Sequence, residues 1–506
     1  MRITNNMMLR STTTNINGNK VNVNKLNNQM SSQKKISRPS ENPVIAIRAL
    51  RLRSNLSEIN QYYENNIPDA DAWLDVTETA LNNMKDILTD VRTQCVYGAT
   101  DSLEYEDRKT ILTALQSLRE QLYSEGNSDY AGRTVFTGYR TNEKLTFMTN
   151  EDDTEYAITQ SFDYTDIEEH RYYSGQVVLG TAEEMIADTS AASEATRIEY
   201  DRIRLAYGGI SETPALTYTD GEVDADGALV QKSPTTTYAT MEEWQSAGSV
   251  CGDDETVFIC ETGELILGKN VSENLKKNKA EITFDYQKKG FEKGEVRPEY
   301  YFNCTDITAT NAEPIVYQKY DENGKEIEQN INYIIAFSQT LTVNTAASDV
   351  FDASMGRDVD EMISAMQASI DAHDKVDKIT EMMSRAEFSD EDSQAKLQVW
   401  KDAAQREVDY ADDNIQKLYN TYLGKFDGYL QDVNLAITVV GSKGDRLELT
   451  ETRMSNQQLT VETLKSANED RELSDIIIDY TAAYNAYQAS LQAASKINQN
   501  TLLNYI

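Results

Sequence analysis

Apolar residues recur along this chain in two rhythms, a 4-3 helical spacing at both ends and short alternating runs between them. After Pro43, residues Ile45, Ala49, Leu52, Leu56, Ile59 and Tyr63 keep 4-3 spacing without a gap, which predicts one helix with one stripe, stopped by Pro68. A second helix is expected to restart near Asp69 or Asp71, acids suited to a helix N-terminus. It carries Leu74, Thr77, Leu81, Met84, Leu88, Val91 and Cys95 in register, with Gly98 as its stop. Ile111, Leu115, Leu118 and Leu122 predict a third helix that ends before Gly126. Three helices joined by short turns imply an antiparallel bundle.

From about residue 144 the pattern changes to runs such as "EYAITQSFDY", "RYYSGQVVLG", "TVFICETGELILG", "AEITFDY" and "EPIVYQKYDENGKEIEQNINYIIAF". They are rich in Tyr, Val, Ile and Thr and bounded by turn pairs (Asp220–Gly221, Asp226–Gly227, Asn323–Gly324), which predicts strands. Helical spacing returns at Val359, Ile363, Met366 and Ile370, then at Ala404, Val408, Ala411, Ile415, Leu418 and Tyr422. The same rhythm picks up Tyr429, Val433, Ala436, Val440, Leu447, Met454, Val461 and Leu464. A helix of about 60 residues would span about 90 Å, with Gly424, Gly428, Gly441 and Gly444 as candidate interruptions.

The last segment has the cleanest register: Leu473, Ile477, Tyr480, Tyr484, Tyr487, Leu491 and Ala494 form a seam that calls for a partner helix. The candidate partner is the N-terminus, where Leu9, Ile16, Val23 and Met30 recur every seven residues. Its companion positions Thr12, Asn19, Leu26 and Gln33 are mostly polar, so this seam is half made. Nine of the first thirty residues are Asn and Gly18 interrupts, so alone in water the arm is expected to be largely disordered. Ordering it requires neighbours that bury its stripe.

Together these patterns give an α+β multidomain fold. Residues 1–38 and 466–506 are read as paired coiled-coil helices, 39–144 and 346–465 as a discontinuous long-helix bundle, and 145–345 as an inserted β-rich domain. Two of the seven prolines stand at the first boundary, in "SRPSENP". Pro39 disfavours helical angles at Arg38, Ser40 is the expected cap of the next helix, Glu41 adds negative charge to its first turn, and Pro43 is tolerated there. Arg38, Pro39, Ser40, Glu41, Asn42 and Pro43 are therefore read as a boundary, either an ordinary interhelix turn or an elbow between an arm that needs neighbours and a bundle that does not.

Charge narrows the partners. The formal net charge of −36 should repel nucleic acid and anionic lipid. Residues 1–60 reverse that sign, with ten Lys/Arg against Glu41 and Glu58, but no aromatic residue precedes Tyr62 to stack on bases. An acidic partner helix suits this arm better than nucleic acid. No apolar run approaches the length of a membrane span, and the first fifteen residues lack the pattern of a cleaved signal peptide.

Candidate chemistry is sparse. His170 and His373 fall in different expected domains, and His373 is expected to be exposed and solvated. No phosphate-loop, dinucleotide, HExxH or GxSxG motif occurs. "EVDADG" offers Glu222, Asp224 and Asp226 at calcium-loop spacing, but Ser233 replaces the bidentate Glu at the twelfth position. Cys95, Cys251, Cys260 and Cys304 form no zinc pattern, and only a Cys251–Cys260 bridge stays open. Trp73 and Trp400 read as helix packing. No catalytic residue, cofactor or metal is expected.

The N-terminal "ISRPSENPVIAIRALR" and "YAGRTVFTGYRTNEKLTF", taken with the C-terminal "VVGSKGDRLELTETRM", "YQASLQAASKI" and "NTLLNYI", resemble the flagellin superfamily. Within it they look most like the hook-associated protein 3 branch, because Pro39, Pro43 and the Leu502–Tyr505 tail depart from the filament-flagellin pattern. Asn42 stands where a second acid is common, and "SANEDRELSD" replaces a more usual acidic run. The resemblance covers roughly 1–150 and 345–506. It implies a subunit exported unfolded through the flagellar type III apparatus without a cleaved signal, to the outside of the cell. That subunit would polymerise with itself at the hook–filament junction and link hook-associated protein 1 to flagellin, with an export chaperone on its C-terminal helices. The alternatives are filament flagellin itself and an adhesive β domain. On this reading the assembly interface is Leu9, Ile16, Val23, Leu26 and Met30 with Leu473, Ile477, Tyr480, Tyr484, Tyr487, Leu491, Ala494, Leu502 and Leu503.

Overall fold

The structure is a computed structural model that describes residues 5–100, 103–190, 192, 195–218, 231–309, 313–322 and 324–499. Helices α1 (Asn5–Ser32), α2 (Pro43–Asn60), α3 (Ile67–Gly98) and α4 (Tyr105–Gln121) precede the β-rich stretch. Short helices α5 (Ala182–Ala187), α6 (Met241–Ser246) and α7 (Lys269–Asn278) fall within it, and α8 (Met355–Ser384), α9 (Glu391–Glu469) and α10 (Leu473–Gln499) follow. The fold is α+β, with two compact units. The smaller comprises Met1–Asp71, Tyr333–Leu341 and Asp445–Ile506, and the larger Ala72–Asn332 and Thr342–Gly444.

In the larger unit the stripe read from α3 is the core itself: Leu74, Thr77, Leu81, Met84, Leu88, Val91 and Cys95 are all 3% exposed or less. Ile111 and Leu115 of α4, Val359, Met362, Met366 and Ile370 of α8, and Val408, Ala411 and Ile415 of α9 are buried in the same unit. Trp73 and Trp400 are buried, as their helical positions suggest. α3 ends at Gly98, where a Cβ would overlap the ring of Tyr419.

Two larger sheets lie in this unit, beside the two-stranded pairing of Asp129–Tyr130 with Arg133–Thr134. In the six-stranded sheet, strand Glu151–Asp163 pairs antiparallel with Glu281–Phe291, placing Ile158 opposite Tyr286. The second strand buries alternate residues, the mark of a sheet with one face on a core. Near its end a bulge between Lys289 and Phe291 uses Gly290 at φ 78°. The five-stranded sheet runs in the order 168–174, 196–204, 264–267, 256–259, 236–238. Its strands Thr256–Ile259 and Glu264–Leu267 are buried at every position.

Several expectations are corrected. Pro68 does not stop a helix: Gln61–Asn66 form a π-helical turn, and α3 follows directly. In that turn the Ile67 N–H donates to Tyr62 O, five residues back, so the hydrogen-bond ladder is already displaced where the proline lacks its N–H. The four glycines of α9 do not interrupt it, since each tolerates helical angles and a Cβ would meet nothing within 4 Å at Gly424, Gly428, Gly441 or Gly444. His373 is one-third exposed and its Nε2 lies 3.1 Å from Asp412 Oδ2, because the stripe of α8 turns it toward α9. All four cysteines are free thiols. The turn pairs at 220–221, 226–227 and Asn323, and the acidic run at 222–227, lie outside the described residues.

Candidate functional site

α1 and α10 lie side by side in the smaller unit and run antiparallel, as the pairings Asn19 with Ser490 and Lys34 with Asp470 require. Along α1 the covered positions are Leu9, Thr12, Ile16, Asn19, Val23, Leu26 and Met30, the 4-3 series of the sequence, together with the buried Gln29. Only Leu26 of that series is fully buried. The polar companions pair where they can: Asn19 Nδ2 donates to Ser490 Oγ at 3.2 Å.

The register of α10 is shifted from its apparent seam. Facing α1 are Ile476, Tyr480, Ala483, Tyr487, Ser490 and Ala494, whereas Leu473, Ile477, Tyr484 and Leu491 are 37–47% exposed. The apolar arc of α10 is wider than one partner covers, so its best-looking seam splits into a paired half and an open shoulder. Tyr480 and Tyr484 stack across that divide with ring centroids 6.0 Å apart. Leu502 and Leu503 lie outside the described residues.

The elbow uses its prolines separately. Arg38 to Glu41 form a turn in which the Glu41 N–H donates to Arg38 O at 3.0 Å, with Pro39 at the position where its fixed φ helps. The cap of α2 is Asn42 rather than Ser40. Pro43 occupies the first helical position, so the residue before it is the one whose side chain can reach back, and Asn42 Oδ1 accepts from Val44 N at 3.2 Å and Ile45 N at 3.3 Å. Arg38, Pro39, Ser40, Glu41 and Pro43 are solvent-exposed, and Asn42 is half-buried.

Beside the elbow the two crossings between arm and body are tied to each other. Lys35 N–H donates to Glu469 O at 2.7 Å and Arg471 N–H to Gln33 O at 2.9 Å, an antiparallel ladder centred on Lys34 and Asp470, whose side chains also bond. Arg53 grips the Glu469 carboxylate with Nε at 2.8 Å and Nη2 at 2.5 Å. The Arg53 guanidinium holds Glu469 below the usual carboxylate range, and the Lys34 ammonium does the same for Asp470. Asn468 Nδ2 donates to Ile45 O at 3.1 Å, so the end of α9 is fastened to the start of α2.

A second constellation, in the larger unit, left no trace in the sequence reading. Arg202 and Arg204 on strand Thr196–Arg204 reach Glu361 of α8, each at 2.7 Å, and Arg204 also bonds Asp358. Arg202 Nη1 donates to Glu264 Oε1 at 2.8 Å, and Tyr429 to Asp358 Oδ2 at 2.8 Å. His170 Nδ1 lies 3.1 Å from Glu361 Oε1. Burial pushes the imidazole down to about 3, reinforced by Arg202, and the Glu361 carboxylate offsets only part of this. Arg202 and Arg204 lie 154–159 residues from Asp358 and Glu361, too far for any local motif. Among the described residues no cluster of His, Cys, Asp and Glu is placed to hold a metal ion, and no helix is long and apolar enough to cross a membrane.

Comparison with known proteins bears on the first constellation. Residues 3–141 match the bacterial flagellin N-terminal helical region. Flagellar hook-associated protein 3 of Salmonella typhimurium LT2 is 31% identical over 142 residues, which are 28% of this chain and 44% of that protein. The protein of the same name from Escherichia coli K12 is 29% identical over the same length and coverage. The match thus spans less than half of either relative. The structure of flagellar hook-associated protein 3 from Legionella pneumophila covers 82% of this chain and 98% of its own, at 12% identity and a TM-score of 0.30. The stretch from α1 through α4 is therefore a flagellin-type N-terminal region.

Proposed function

We propose that this chain is a structural, non-enzymatic subunit of the bacterial flagellum that polymerises at the hook–filament junction, outside the cell. There it joins hook-associated protein 1 to flagellin. The observation that carries the reading is the pairing of a flagellin-type arm with the last described helix in a seam left open on one side. A pair that exposes Leu473, Ile477, Tyr484 and Leu491 gains stability when another helix covers them, which couples order in the arm to assembly. The same shoulder suits an export chaperone that would shield it before secretion. The interface then comprises Leu9, Ile16, Val23, Leu26 and Met30 with Leu473, Ile477, Tyr480, Tyr484, Tyr487, Leu491 and Ala494, and the elbow and its ladder set the direction of the arm.

Deleting residues 474–506 should leave the larger unit folded, with unchanged emission from its three tryptophans, and abolish incorporation into flagella. Normal incorporation of the truncated chain would refute the reading. Immunogold labelling separates it from its neighbour: label confined to the distal end of the hook supports a junction subunit, and label along the filament supports a flagellin.

A further inference from the structure

α2 has two unlike sides. Ala46, Ala49 and Leu56 are buried, and the bonds from Asn468 to Ile45 O and from Arg53 to Glu469 fix the rotation of the helix against the end of α9. The other side carries Val44, Ile47 and Leu50, each 54–65% exposed, with Arg48 and Arg51 exposed beside them. The spacing 44, 47, 48, 51 makes one stripe, with Leu50 at its edge. Among the described residues neither Arg48 nor Arg51 forms an ion pair.

The last part of α9, in the same unit, carries a stripe of opposite sign. Leu447, Thr450 and Met454 are buried, whereas Asp445, Glu448, Leu449, Thr452 and Leu459 are exposed on the other side, the two leucines at 65–75%. Arg446 and Arg453 are occupied elsewhere, donating to Thr340 O and Gln339 Oε1 of strand Gln339–Thr342. Among the described residues Asp445 and Glu448 form no ion pair. Arg48 and Arg51 stand three residues apart, and so do Asp445 and Glu448, about 4.5 Å along a helix in each case. The two stripes therefore match in charge spacing, and both set their charges beside exposed aliphatic side chains. A net charge of −36 makes copies of the chain repel one another over most of their surface. Residues 1–60, with ten Lys/Arg against Glu41 and Glu58, are the exception, so an acidic face of a second copy is drawn to this end. Exposed ion pairs alone contribute little, but here apolar surface leaves water together with them.

We propose that the outer stripe of α2 docks onto the outer stripe of α9 in a second copy of this chain. The two stripes differ, so each copy in a pair still has one of them free, and the contact repeats head to tail into a ring or a helix. The inference rests on the reading that the chain polymerises, and adds a contact to that of the open shoulder of α10.

The test is sedimentation velocity of the intact chain up to about 1 mM, where association should rise with concentration and weaken with added salt. Arg48→Glu with Arg51→Glu, or Asp445→Lys with Glu448→Lys, should each weaken association roughly tenfold or more and leave the melting temperature unchanged, because these side chains have no ionic partner in the monomer. Mixing the two double variants, or placing all four substitutions in one chain, should restore association, since opposite charges face one another again. A chain that stays monomeric at about 1 mM leaves the stripe to a different protein and overturns the proposal. Association that survives either reversal, or that the four substitutions together do not regain, overturns it as well. Immunogold label absent from the flagellum would remove the flagellar reading and leave the sedimentation results standing, so the two failures are distinguishable.

Discussion

The stripe of α3 and the stripe of α1 follow the same 4-3 rule, yet one is a core and the other is barely covered. All seven α3 positions are buried, whereas Leu26 alone is fully buried among the seven of α1. Composition explains part of this. The α3 stripe is apolar except for Thr77, which donates to Trp73 O at 2.8 Å, while α1 places Thr12 and Asn19 in its seam. Neighbours explain the rest, because most of α3 lies in the larger unit among helices and sheets, whereas among the described residues the main partner of α1 is α10. Each Leu fully buried contributes roughly 1.5–3 kcal/mol, so the larger unit is expected to hold by itself and the helix pair to gain most from company.

The sharpest way to test that contrast is to break the inside of the larger unit. Arg202→Met would leave Glu264 and Glu361 short of a buried partner and should cost about 3–5 kcal/mol in urea unfolding. Leu81→Ala, in the α3 stripe, should cost about 2–5 kcal/mol, whereas Leu491→Ala on the open shoulder of α10 should stay within about 0.5 kcal/mol for the isolated chain and still impair polymerisation. Equal costs for these two substitutions would erase the distinction between core and open seam.

Acid should separate the units as well. His170 is neutral in the fold down to about pH 3, but the unfolded chain takes up its proton near the ordinary value of 6.5. Between those values the unfolded state binds more protons, so the larger unit loses up to about 1.4 kcal/mol per pH unit as pH falls. Glu469 is depressed from an ordinary value of 4.5, so the ladder keeps its contribution until below that pH. All three tryptophans belong to the larger unit, and their fluorescence should show its urea midpoint falling between pH 6.5 and 4.5. A small effect runs the other way: Gly428→Ala, in α9 with open space around it, should stabilise the larger unit by about 0.5–1 kcal/mol.

Legibility followed the same division. The α3 seam and the strands around Ile158 and Phe284 could be read because burial on one side imposes a period on adjacent residues. The π-turn before Pro68 could not, since a proline in a helical pattern ordinarily ends it and only the displaced ladder shows otherwise. Asn42 was passed over for Ser40 because both are cap formers, and the choice depends on which proline occupies the first turn. The split register of α10 was hidden because one helix cannot reveal which half of a wide apolar arc its partner takes. Arg202, Arg204, Asp358 and Glu361 carry no periodic or motif signal, because a charge network assembled from distant segments is written only in three dimensions.

The ladder between Lys34 and Asp470 joins residues 436 positions apart. Closing so long a loop from an open chain would cost about 5 kcal/mol of entropy, a cost that falls once the intervening chain has folded and its ends are already near one another. The ladder is therefore expected among the last contacts to form, and it cannot form until Asp470 has been delivered. In a chain that emerges from one end, this makes the ladder a check on completeness: a subunit cut short anywhere before residue 470 keeps its arm untied.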